Sequence, residues 1–109
     1  MSVLKMFITT VVITLPMMSR VEAKPPSIDY QWSGYEGIQK QCVQTAKKTM
    51  QEMKFTISSS TAGNQETVGY QGDYKGVIAC LPDKTVVFIV AGPDYKQAEL
   101  LSKRLKNNF

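Results

Sequence analysis

Two apolar runs separated by three residues decide more about this chain than any other stretch. They are YKGVIACL, residues 74–81, and TVVFIVA, residues 85–91, joined by Pro82-Asp83-Lys84. Proline presets the backbone angle of a turn's first central position, and an aspartate after it can bond its own backbone nearby. The runs are therefore neighbouring antiparallel strands. A strand with one wet face alternates apolar with polar residues, yet these two are apolar on both sides. One face must lie under helices. The other presents Val77, Ala79 and Leu81, with one alternate set from 86–91 (Phe88 is the bulkiest candidate), to solvent or to something that covers it. An apolar patch on that scale marks an interface or a ligand groove. The alternative is that the segment before residue 34, with its aromatic residues, folds over and hides it.

Upstream, KFTIS alternates with Phe55 and Ile57 on one side, and ETVGYQ alternates through Val68 and Tyr70. Both have the period of strands, and SSSTAGN between them reads as a polar loop. Gly72-Asp73 suits a two-residue hairpin turn, since glycine reaches positive φ without a steric cost. A helix is expected from about Gly34 to Met53. Ser33 and Glu36 have the capping-box spacing, and Ile38, Cys42, Ala46, Met50 and Met53 recur on one helical face. A second helix follows Gly92-Pro93-Asp94. Asp94 complements its positive end, and Lys103, Arg104 and Lys106 complement the other. Ala98, Leu101 and Leu105 form its apolar stripe. The expected fold is α+β, a two-layer sandwich: a four-stranded antiparallel meander with an N-terminal and a C-terminal helix on one face, in the order α-β-β-β-β-α.

Cys42 falls in the middle of the first helix's buried stripe, and Cys80 shares a strand face with Tyr74, Gly76 and Ile78. If that face is the one beneath the helices, the two sulfurs meet in a disulfide. Two separate buried thiols are the rival arrangement. A reactive thiolate needs a histidine or a strong local positive field, and the chain has no histidine. A staple is the stronger reading, and it implies an oxidising compartment.

The N-terminus points to the same compartment. Met1 to Lys5 carry one positive charge, and MFITTVVITLPMM, residues 6–18, is too short for the roughly 20 apolar residues of a spanning helix. Val21 and Ala23 have the small-residue spacing of a cleavage site, so residues 1–23 are expected to be a cleavable signal peptide. Residues 24–33 are then an extended aromatic lead-in, and residues 34–109 a single α+β domain. The mature chain would carry eleven basic and eight acidic residues once Lys5, Arg20 and Glu22 are removed, a net charge of +3. That charge is too mild and too dispersed for nucleic acid or a membrane surface, which need a denser basic patch. No nucleic-acid partner and no stable membrane anchor after cleavage are expected.

Without histidine the commonest general base and metal ligand are missing, and two cysteines 38 positions apart make neither a zinc site nor a redox pair. No metal, no cofactor and no catalytic residues are assigned. The glycines of GYQGDYKG match no phosphate-loop spacing, and a strand follows them where such motifs need a helix. Tyr30, Trp32 and Tyr35 cluster within six residues. They form either a satellite core or a contact surface, because Tyr and Trp supply large contact area at low entropy cost. The expectation is a small secreted or periplasmic binding protein without enzymatic activity. It would self-associate or modulate a protein partner. The alternative is a small-ligand or glycan module built from the open sheet face and the aromatic arm.

Overall fold

The structure is a computed structural model that describes residues 25–58 and 65–109. The proposed signal peptide, residues 1–23, lies outside the described residues. Seven elements follow in the order β1 (Ser27–Gly34), α1 (Gln39–Glu52), β2 (Thr56–Ile57), β3 (Glu66–Gln71), β4 (Tyr74–Cys80), β5 (Thr85–Gly92) and α2 (Tyr95–Asn108). The fold is α+β. The described strands form one antiparallel sheet with strand order β1-β5-β4-β3-β2.

The sheet has five strands where four were expected, because the aromatic lead-in is itself a strand. Residues 27–34 pair with β5 over eight positions, from Ser27 opposite Gly92 to Gly34 opposite Thr85. The periodicity of this segment misleads because it is inverted. Its inward side chains are Asp29, Gln31 and Ser33, and its outward ones are Ile28, Tyr30 and Trp32. That pattern resembles an aromatic arm rather than a core strand. Pro25 and Pro26 precede the first paired residue, where no ladder hydrogen bond is lost.

The same pairing corrects the start of α1. Ser33 and Gly34 face Val86 and Thr85 in the ladder, so no Ser33–Glu36 capping box forms. The Tyr35 amide donates to the Lys84 carbonyl at 2.9 Å, and Gly37 turns the chain at φ +81°. The helix then starts at Gln39, with the Gln41 side chain accepting from the Ile38 amide at 3.4 Å. Ile38, expected on the buried stripe, is exposed at this cap. Cys42, Ala46 and Met50 are buried as their spacing requires, joined by Thr49.

The two hairpins follow their turn chemistry. Gln71 pairs with Tyr74 across Gly72-Asp73, and Gly72 has φ +56°, which an L side chain adopts only with strain. In the next turn the Leu81 amide donates to the Thr85 carbonyl at 2.8 Å, and the Asp83 carboxylate accepts from the Thr85 amide at 3.0 Å. At the head of α2 the Asp94 carboxylate accepts from the Gln97 amide at 2.9 Å, satisfying a helix-end donor.

Both helices bury their stripes in one core against one face of the sheet. Ile78 and Cys80 of β4 and Val86, Phe88 and Val90 of β5 form its floor. Met50, Leu101 and Leu105 descend onto it, and Phe109 meets Phe88 edge to face, ring centroids 5.3 Å apart. Gly69 and Gly76 lie directly opposite each other in the ladder. Their missing side chains make room for Met50 and Phe55, whose atoms stand 2.7 and 2.9 Å from where a β-carbon would be. Cys42 and Cys80 form the disulfide, with Cα atoms 6.1 Å apart, tying α1 to the centre of the sheet.

Candidate functional site: the open sheet face

The sheet's other face is built by register alone. One row of side chains crosses it as Ile28, Ala91, Lys75 and Tyr70. The middle row is Tyr30, Ile89, Val77 and Val68. The third is Trp32, Val87, Ala79 and Glu66. Ten of these twelve side chains are apolar or aromatic, and the two charges, Lys75 and Glu66, stand at opposite ends on neighbouring strands. No described residue packs over this face. Tyr30 is 60% and Trp32 62% exposed, although aromatic side chains normally bury most of their area. Their rings stack at 5.9 Å with planes 28° apart, a flat platform at the β1 edge.

The structure sorts the side chains that the sequence marked for binding. Val77 and Ala79 face outward and stand half-buried in the open face, with Tyr30 and Trp32 beside them. Phe88 does not belong there. The alternation of β5 turns Val87, Ile89 and Ala91 outward and drops Phe88 fully into the core, so Phe88 is a packing residue and not a contact residue. Tyr35 also leaves the aromatic group. It is buried, its hydroxyl donates to the Leu81 carbonyl at 2.5 Å, and the Lys84 ammonium lies 5.6 Å from the ring centre. Leu81 lies past the last paired residue of β4, and its backbone closes the turn. Its carbonyl is held by Tyr35 and the neighbouring Cys80 carbonyl by the Gln39 side chain at 2.6 Å, so this end of the sheet is a structural clamp beside the disulfide.

A buried polar cluster that periodicity did not reveal lies on the opposite face. Asp29 of β1 accepts hydrogen bonds from the Ser102 hydroxyl, from Gln31 at 3.0 Å and from the Tyr95 hydroxyl at 3.2 Å. Burial raises its pKa, but the three donors and the nearby Lys103 charge outweigh that, holding the carboxyl below its ordinary 3.8. The same hydrogen bond, with the Asp29 charge and that of Glu99, raises the Tyr95 hydroxyl above 10.0. The cluster ties the edge strand to α2. Its one legible signal was an aspartate standing between the hydrophobic Ile28 and Tyr30. A concavity of about 440 Å³ lined by Pro25, Pro26, Asp73, Gly92 and Pro93 carries a single ionisable side chain.

Among the described residues no helix is long and apolar enough to cross a membrane. The Cys42–Cys80 disulfide is compatible with an oxidising location. Compared with protein-family models, with curated proteins and with solved structures, the chain matches none.

Proposed function

We propose that this chain is a small exported binding protein without catalytic activity that works by protein–protein contact through the open face of its sheet. The observation that carries the reading is the three-row apolar grid around Val77 and Ile89, uncovered by any described residue. A soluble domain seldom exposes a contiguous apolar face of this kind unless something docks on it. The disulfide supports export to a secreted or periplasmic location, where such a bond forms and persists. The two-layer arrangement supports the reading as well, since helices on one face leave the other free.

A photo-crosslinking amino acid at Tyr30, with Lys96 on the exposed surface of α2 as control, tests this in cells that export the chain. The expected result is a protein adduct of discrete mass from position 30 and none from position 96. Absence of adducts from position 30, or equal adducts from both, would overturn it. A second reading, a glycan- or small-ligand module, is favoured by one observation, the stacked and exposed Tyr30–Trp32 pair. It expects no protein adduct and a glycan affinity lost on Trp32→Ala.

A further inference from the structure

The two charges of the open face select the partner. Glu66 sits at one end of β3 and Lys75 at the other end of β4, and the rows they belong to flank the middle row Tyr30, Ile89, Val77 and Val68. Rotate a second copy by half a turn about that middle row and lay it face to face on the first. Each middle-row residue then meets itself, and the two outer rows exchange places. Trp32 comes over Ile28 of the other copy, and Val87 over Ala91. Lys75 comes over Ala79, next to Glu66 one strand away, and the symmetry makes the same pair a second time.

The geometry points to a homodimer built sheet on sheet through this face, the occupant being a second copy of the chain and the register being set by two reciprocal Lys75–Glu66 pairs. This deepens the binding reading above and rests on it. Among the described residues the face carries two charges, of opposite sign and exchanged by the axis, and such a face is complementary to itself without change, as a two-fold interface requires. No charge is left against an apolar surface alone. Packed sheets stand about 10 Å apart, within reach of a Lys and a Glu side chain extending toward each other. A centre of Val and Ile with a rim of opposite charges is the usual anatomy of an interface.

Size sets the strength. Strands about 4.8 Å apart and rows about 7 Å apart give a face of roughly 20 by 20 Å with side chains included. That lies below the roughly 800 Å² per partner of a standard stable interface. The dimer is therefore a weak, concentration-dependent one. The β1 edge adds no obstacle, because Asp29, the one charge on that strand, is turned to the opposite face and held there.

Sedimentation equilibrium on the chain recovered from an exporting host, from about 1 to about 100 μM, tests the dimer, and a denatured aliquot fixes its mass. The expected result is a monomer–dimer equilibrium within that range. Val77→Lys, which sets two lysines against each other on the axis, should weaken it more than about tenfold with the helical circular dichroism unchanged. Glu66→Lys and Lys75→Glu should each weaken it about threefold or more, and the double exchange should restore it to within about twofold. These two positions are exposed, so the exchange remains decisive even if Val77→Lys fails to fold. A monomer at every concentration, or a dimer indifferent to both single charge reversals, would overturn the homodimer. A monomer that still crosslinks another protein from position 30 leaves the binding reading standing. A monomer that crosslinks nothing removes both.

Discussion

Opening the Cys42–Cys80 bond is the perturbation whose size follows most directly from the structure. The bond closes a loop with a sequence separation of 38 and joins α1 to β4 in the middle of the sheet. If its effect lies in the unfolded chain, cross-linking residues that far apart removes about 13 cal/mol/K of chain entropy, or about 4 kcal/mol at 25 °C. A domain of this size is stabilised by only about 5–10 kcal/mol in total. Reduction should therefore lower the melting temperature by roughly 15–30 °C and leave a fold close to its limit. Urea titration of the oxidised protein, beside the same protein reduced and held under reductant, measures the difference. The free-energy gap should be about 4 kcal/mol, and the slope m should rise on reduction because the uncrosslinked unfolded chain exposes more surface. A gap under about 1 kcal/mol would refute the reasoning. A gap of the expected size with unchanged m would refute its unfolded-state origin and transfer the effect to native packing around the two buried sulfurs. Cys42→Ala with Cys80→Ala adds a void to the lost link and should cost somewhat more than reduction alone.

Asp29→Asn should cost about 1–3 kcal/mol at neutral pH, since three donors lose their charged acceptor. Because the folded carboxyl titrates below the unfolded value near 3.8, that stabilisation is present above this pH and is lost as pH falls through the lower folded value. Urea midpoints of the two proteins should keep a constant gap from neutrality to about pH 5 and converge below the unfolded value, and a gap unchanged down to about pH 2 would contradict the assignment. Gly76→Ala places a β-carbon 2.9 Å from the Phe55 ring edge, so it should destabilise by about 1–3 kcal/mol in thermal melts. Gly72→Ala meets no atom and should lose only the cost of its positive φ, about 1 kcal/mol.

The physical basis of the open face divides the same way as that of the fold. The apolar character of residues 74–81 and 85–91 on both sides is a property of the chain, and it already implied one face under helices and a second apolar face, either open or hidden by the segment before residue 34. The disulfide was equally legible, because each cysteine carried the phase of its own element: Cys42 the helical stripe, Cys80 the strand alternation with Ile78. Both turns and the head of α2 were written in local chemistry, proline, aspartate and glycine acting within four residues of themselves.

What local chemistry lacks is any account of partners far along the chain. Residues 27–34 contain no core pattern, and their strand exists because β5, more than fifty positions later, offers an unpaired edge. That pairing overrode the Ser33–Glu36 capping signal, since a ladder of eight residues outweighs a single cap. It also moved Tyr30 and Trp32 from an arm into the open face. Asp29 became a buried anion for the same reason, because Ser102 and Tyr95 reach it only once α2 lies beneath β1. Tyr35 shows the converse, an aromatic residue in a surface-looking cluster that a turn 46 positions away draws inward through the Leu81 carbonyl. Composition and periodicity determined that this chain would make a small stapled α+β domain with apolar surface to spare. Which side chains share that surface, and that its two charges stand one on either side of the middle row, follow only from the register of the strands, which long-range pairing sets and no short segment encodes.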